Sequence, residues 1–373
     1  MMAAFHDSRS TARLFLAASA LAAATLLGMP TLAVSQESVT IRLTSPVPRG
    51  PAHVEAIQWW ADEVAKRSED RVKFQTFYAG SLMGALETLP ATRDGRVGGG
   101  YMSPGYWPAD LPLWSVDSIP FVTDDPHAMM LTFYDLSKNN ESMRKELEAA
   151  GIKLMFMVPV TPAVSGVREP VTALKDLDGK RLRVLGYVAR AFQTIGVQPV
   201  SIDPGQQYEA IQRGALDGFG SLVFDAIPYF KLHEVAPSLY YTGIGMYSSV
   251  GVGISLELWN GIPEDLQNIM TEVAEEYMFE REPAALMAYE DEACTKLLDA
   301  KATVTLAPDT EVEAWKAEVG DTIKDAWRAT VLERGVAAEV VDAFYADYTA
   351  TLAKYEADSK YELGVAKCAA RSD

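Results

Sequence analysis

The chain has 373 residues and a net charge of −18, from 51 Asp and Glu against 33 Lys and Arg. Such an acidic surface excludes nucleic acid as a partner, because phosphates need clustered Lys and Arg. It also gives an anionic ligand no long-range attraction, so capture of an anion must rest on local cations.

Residues 1–35 read as a secretion signal. Arg9 and Arg13 precede an apolar run from Leu14 to Leu27 that is short for a membrane span, and Ala33-Val34-Ser35 places cleavage near Ser35–Gln36. No later segment approaches the ~20 apolar residues of a membrane helix, so the expected product is exported and not membrane-inserted. Cys294 and Cys368 are the only cysteines. In an oxidising compartment they are expected to form a disulfide, with two unpaired thiols as the alternative.

The mature chain opens with Val39, Ile41 and Leu43 in strand alternation. Pro51 can start a helix whose Ile57, Trp60 or Ala61, and Val64 recur at helical spacing. A strand near Val72–Tyr78 and a helix from about Ala85 to Arg93, ended by Gly95, continue the α/β pattern. Gly98-Gly99-Gly100 and Pro104-Gly105 suggest irregular backbone at a strand end, where α/β clefts bind ligands. Glu141, Glu146 and Glu148 look like a solvated helix face, and Ile152–Val160 is an apolar strand leading into a second lobe.

That lobe contains Asp176-Leu177-Asp178-Gly179-Lys180-Arg181-Leu182-Arg183-Val184, a Gly turn feeding a short strand. It also contains Tyr208-Glu209-Ala210-Ile211-Gln212-Arg213-Gly214-Ala215-Leu216-Asp217-Gly218, a helix stopped by Gly214 and returned into a strand. Val250–Leu258 reads as a strand returning to the first lobe, and a long helix follows Asn260, with Pro283 expected to kink it. Val341, Phe344, Tyr348, Leu352 and Tyr355 mark a last amphipathic helix.

The two middle blocks resemble the substrate-binding proteins of tripartite ATP-independent periplasmic (TRAP) transporters. That family runs Asp-Leu-x-Gly-x-x-x-Arg-Val and then Tyr-x-Ala-Leu-x-x-Gly-x-Val-Asp-Gly. Asp176, Leu177, Gly179, Arg183 and Val184 match the first pattern, and Tyr208, Ala210, Gly214, Asp217 and Gly218 the second. The resemblance implies an α/β, two-lobed periplasmic binding fold with a hinge and a long lobe-bridging helix. Lobe 1 is expected over 36–161 and 250–300, with the bridging helix at about 263–300. Lobe 2 is expected over 162–249 and 301–325, and a C-terminal helical segment over 326–373.

The resemblance also implies that Arg183 grips the carboxylate of a small organic anion, by two parallel charge-assisted bonds. Arg181 falls outside the pattern and reads as a surface charge. Ser221 stands near the place of an assisting Asn in many relatives. Arg168 sits too close to Pro170 to match a second family Arg, which leaves one strongly bound carboxylate. Aromatics crowd the region from Tyr101 to Phe121, and Trp114 and Phe219 are expected to face each other across the cleft, with Tyr101 and Tyr106 beside them. The expected ligand is then an aromatic or bulky apolar monocarboxylate. The expected partners are the small and large TRAP membrane subunits.

Enzyme signatures are missing. His53, His127 and His233 are scattered, and no metal-binding spacing, nucleophile elbow or phosphate loop occurs. No cofactor, metal or catalytic residue is expected. The alternatives are a binding protein of an ATP-driven importer or a sensor, and, in another class, a secreted hydrolase.

Overall fold

The computed structural model describes residues 38–372. The expected signal segment and its cleavage point lie outside the described residues. Among the described residues no helix is long and apolar enough to cross a membrane.

The strands in chain order are β1 (Val39–Thr44), β2 (Val72–Phe77), β3 (Gly99–Met102), β4 (Ile152–Val158), β5 (Ala163–Val167) and β6 (Arg181–Arg183). They continue with β7 (Gln198–Val200), β8 (Gly218–Val223), β9 (Ser238–Tyr241), β10 (Val250–Ser255) and β11 (Thr303–Leu306). They form two sheets, ordered β2-β1-β3-β10-β4 and β11-β9-β5-β8-β6-β7. Each sheet is the centre of one lobe. β1 lies parallel to both β2 and β3, while β10 runs antiparallel between β3 and β4. The polypeptide therefore crosses between lobes after β4, after β9 and again before β11. Several crossings make a hinge rather than a tether.

Helical periodicity in the first lobe does what the spacing requires. The helix Ala52–Arg67 buries Ile57, Trp60, Ala61 and Val64, and Trp60 sets its ring 4.7 Å from Phe74 and 5.1 Å from Phe156. Each such aliphatic or aromatic side chain contributes about 1.5–3 kcal/mol by leaving water. The indole N–H of Trp60 donates to the Met270 carbonyl at 3.0 Å, so the ring is both packed and hydrogen-bonded.

The long helix runs from Glu264 to Asp299 and is interrupted at Tyr277–Arg281 by a π turn. Pro283 lacks an N–H, and its ring would strike the carbonyl four residues earlier. The wider turn immediately before it accommodates both defects. At ~1.5 Å per residue the helix is about 54 Å long. It touches the first lobe through Met270 and Trp60, and the second where Lys296 Nζ donates to Tyr229 Oη at 3.0 Å. Cys294 on its last part is disulfide-bonded to Cys368, with Cα atoms 5.5 Å apart. The bond fastens the final helix, Gly364–Ser372, to the bridging helix. Closing a loop this long is worth about 4 kcal/mol on a chain-entropy argument. The helix Ala338–Asp358 buries Val341, Phe344, Tyr348 and Leu352, and its Tyr348 packs 5.5 Å from Phe133 of the first lobe.

Two readings are corrected by packing. The Gly98-Gly99-Gly100 run, expected as irregular backbone at a strand end, is mostly strand, because β3 begins at Gly99. A Cβ at Gly100 would stand 2.2 Å from the Thr44 carbonyl and one at Gly99 2.3 Å from that of Gly253, so the glycines let a central strand sit close to its neighbours. Glu146 is not on a solvated face. Its carboxylate accepts from the backbone N–H groups of Leu113 and Trp114 at 2.6 and 2.9 Å, and burial pushes its pKa up to about 8 against the pull of those donors.

Candidate functional site

The site begins with the turn before β6. Gly179 takes φ +73°, a left-handed conformation that favours glycine, and sends the chain into Arg181-Leu182-Arg183. Strand alternation puts both arginines on one face. Arg181, at the open end, pairs with Asp217 at 2.9 Å and stays exposed. Arg183, two residues on, is 1% exposed.

Three contacts hold the Arg183 guanidinium. Nε donates to the Ile202 carbonyl at 3.4 Å and Nη1 to the Ser221 carbonyl at 3.1 Å, both within the second lobe. Nη2 donates to Tyr106 Oη of the first lobe at 3.2 Å. A guanidinium has more N–H donors than these contacts use. Among the described residues no carboxylate pairs with it, and a buried charge without a counter-charge is costly. A buried cation with spare donors and no counter-charge is a prepared anion site.

Arg183 lines a cavity between the lobes of about 30 Å³, together with His53, Tyr101, Tyr106, Tyr247 and the Ser103–Ser248 hydroxyl pair. Val47, Val160, Leu222 and Phe230 supply apolar wall. Burial raises the pKa of Tyr101, Tyr106 and Tyr247, so all three phenols keep their protons and remain donors. Burial alone pushes His53 down to about 3, so its imidazole is neutral. Neither of its ring nitrogens has a hydrogen-bond partner among the described residues.

Further hydrogen bonds cross between the lobes around this space. Asp203 Oδ2 accepts from Ala85 N at 3.0 Å, Asp225 Oδ2 from Ala52 N at 2.7 Å, and Ser118 Oγ from Tyr187 N at 3.2 Å. Asp225 thus caps a first-lobe helix whose N-cap, Pro51, has no side chain able to do so. The lobes are drawn together, and the space left between them is well below the ~150 Å³ that holds a benzene ring.

Of the residues singled out from the sequence, Arg183, Tyr101 and Tyr106 come together at the cavity. Ser221 stands behind them. Its carbonyl orients Arg183, while its hydroxyl accepts from Leu185 N at 3.3 Å rather than facing the ligand space. Trp114 and Phe219 do not meet across the cleft. Trp114 is buried in the first lobe, its N–H on Ser249 Oγ at 2.7 Å and its ring 6.3 Å from Phe133. Phe219 fills the room left by Gly166, where a Cβ would come within 2.2 Å of its ring. Arg168 lies outside the cavity and donates to the Ile211 and Gln212 carbonyls, closing the end of the helix Gln207–Gln212. His53 and Tyr247 were not anticipated. His53 had a legible signal, since the first turn of a helix following β1 opens on the crevice at the strand ends. Tyr247 sits in the second crossing segment, between β9 and β10, and had none.

Two sheets joined by repeated crossings, with a buried cation between them that no carboxylate among the described residues pairs, define a two-lobed receptor for a small anion. The chain belongs to the bacterial extracellular solute-binding protein family 7 (DctP), whose sequence profile matches residues 45–330. It is a TRAP substrate-binding protein. It is 25% identical over 287 residues to the ectoine-binding periplasmic protein TeaA of Halomonas elongata, covering 76% of this chain and 82% of that one. It is 24% identical over 264 residues to a monocarboxylate 2-oxoacid-binding periplasmic protein of a Nostoc species, covering 70% and 72%. Its fold matches a TRAP solute-binding protein from Rhodoferax ferrireducens, in complex with copurified benzoate, at a TM-score of 0.75. That match has 20% identity and covers 86% of this chain and 99% of the other.

Proposed function

We propose that this chain is an exported receptor that closes its two lobes on a small organic monocarboxylate and delivers it to the small and large membrane subunits of a TRAP transporter. The observation that carries the reading is Arg183, a buried cation with spare donors and no carboxylate partner among the described residues. Among the described residues it is the only cation lining the cavity, and no carboxylate among them lines it, which suits one negative charge and not two. The relatives named for a 2-oxoacid and for benzoate are consistent with a single carboxylate.

Arg183 supplies charge and orientation, and the tyrosine phenols supply further donors to the same anion. The Arg183–Tyr106 and Asp203–Ala85 bonds span the lobes, so ligand and latches are satisfied together only when the lobes meet. Binding then shifts the population toward closure. The walls are tyrosines, Phe230 and aliphatic side chains rather than Trp114 and Phe219, and the small volume favours a compact acid over a bulky ring.

The test is a thermal-shift and calorimetry panel of aliphatic monocarboxylates, dicarboxylates, sugar acids and aromatic acids. A ligand at about 100 times its dissociation constant stabilises by ~2.7 kcal/mol. A shift from monocarboxylates that disappears in Arg183→Met supports the reading. A preference for dicarboxylates, or a shift that survives the substitution, overturns it. Export and cleavage near Ser35–Gln36 are checked by N-terminal sequencing of the periplasmic protein. Delivery is checked by uptake in vesicles carrying the membrane subunits.

A further inference from the structure

His53 deepens that reading, on which it depends. It stands in the first turn of the helix Ala52–Arg67, is 1% exposed and lines the same cavity as Arg183. Its ring meets Tyr101 edge-on, with centroids 5.8 Å apart and planes at 61°, which fixes the imidazole against the floor of the cleft. Both ring nitrogens lack partners among the described residues. Most buried polar side chains in native proteins are hydrogen-bonded, so an imidazole that lines a ligand cavity with both nitrogens unpartnered calls for a partner brought by the ligand.

The chemistry of that partner is constrained from three sides. The imidazole is held neutral by burial, so it offers one N–H and one lone pair and no charge. A second carboxylate on the ligand would therefore meet no second cation. A ligand ammonium would share the cavity with Arg183 and meet no lining carboxylate, because Asp225 is committed to Ala52 N and Thr161 Oγ1. A purely hydrocarbon group would leave both nitrogens buried and unsatisfied, at the full desolvation cost. What remains is a neutral oxygen. A hydroxyl can donate to the lone pair, and an oxo group can accept from the N–H.

We propose that His53 is a specificity-determining residue that reads a hydroxyl or oxo group on the ligand, so that the solute class is the oxygenated monocarboxylate rather than the plain acid. Arg183 holds the carboxylate and His53 selects on the second oxygen. The pairing discriminates strongly because an acid lacking that oxygen leaves a buried polar group unpaired.

The experiment measures dissociation constants by calorimetry for matched acids that differ in one oxygen. The pairs are propionate against lactate and pyruvate, and benzoate against 3-hydroxybenzoate. The proteins are wild type, His53→Leu and His53→Gln, each checked for an intact melting transition. The wild type is expected to bind an oxygenated acid about 10- to 100-fold more tightly than its plain partner. In His53→Leu that ratio falls to within about twofold of unity while the plain acid still binds, and His53→Gln retains part of the preference. A ratio of affinities is insensitive to the fraction of folded protein, and the Gln variant serves if the Leu variant does not fold. Equal binding of both members by the wild type, or a preference that survives His53→Leu, overturns the proposal and leaves the carboxylate reading standing. Failure of every acid to bind the wild type overturns the carboxylate reading and the proposal together.

Discussion

The two ends of β6 carry the same side chain in different surroundings. Arg181 is exposed and gripped by Asp217, which also accepts from Arg181 N at 2.8 Å. Arg183 is buried, held by two carbonyls and a phenol, and has no carboxylate partner among the described residues. The first end is structural, because a solvated ion pair gains little and mainly pins the strand to the Asp217 turn. The second is costly unless something else supplies the negative charge. An arginine cannot escape that cost by losing its proton. Asp117, also buried, can. It accepts from Ser249 N and Oγ at 2.6 and 2.9 Å, its other oxygen has no partner among the described residues, and burial pushes it up to about 8.

The contrast breaks most visibly at Arg183. Arg183→Met is expected to weaken carboxylate binding by about 2–5 kcal/mol, because the ligand's charge would then be buried unpaired. The same substitution is expected to raise the melting temperature of the ligand-free protein, since an apolar side chain carries no uncompensated charge. Arg183→Lys keeps the charge but loses the planar fork, and calorimetry should place it between the two.

Tyr106→Phe removes the hydrogen bond that Arg183 donates across the lobes. A hydrogen bond to a charged group is worth about 1.5–3 kcal/mol, so ligand affinity should fall by at least roughly tenfold with little change in melting temperature. An unchanged affinity would mean that this bond forms equally well with the lobes apart.

Asp117 sharpens the comparison through pH. Its folded pKa lies above the ordinary 3.8, so the folded state keeps a proton that the unfolded chain releases between there and about 8. The unfolded state then binds fewer protons, and stability falls as pH rises through that window. Melting temperatures of the wild type should decline from pH 5 to pH 8 more steeply than those of Asp117→Asn. Parallel curves would show that Asp117 stays ionised.

The smallest effect is expected at the exposed end of β6. Asp217→Ala should cost about 0–1 kcal/mol of stability, less at high salt, and leave acid binding unchanged. A large loss of affinity there would mean that the Asp217 turn positions Arg183 as well as Arg181.

Much of the architecture was legible because local chemistry determines it. Strand alternation in β1, the helical spacing of Ile57, Trp60 and Val64, and the Gly179 turn follow from backbone geometry alone. So does the break at Pro283, although the form it takes, a π turn ending at Arg281, depends on how the next turn packs. The cleft was only partly legible. Trp114 and Phe219 were credible walls by composition, but whether an aromatic ring faces a ligand or a core depends on what stands opposite it. Gly166 opposite Phe219 and Ser249 beside Trp114 decided both cases. Glu146 shows the same limit, since its partners lie more than thirty residues away on the chain.

By itself the sequence determined the family, the two α/β lobes and the placing of a strand arginine at Arg183, since short-range spacing and turn chemistry encode all three. Only the tertiary structure decided that Arg183 is buried with no carboxylate partner among the described residues, and that His53 and Tyr247 join it. Burial and partner supply are properties of what the fold brings from distant segments to one place, and no local pattern records them.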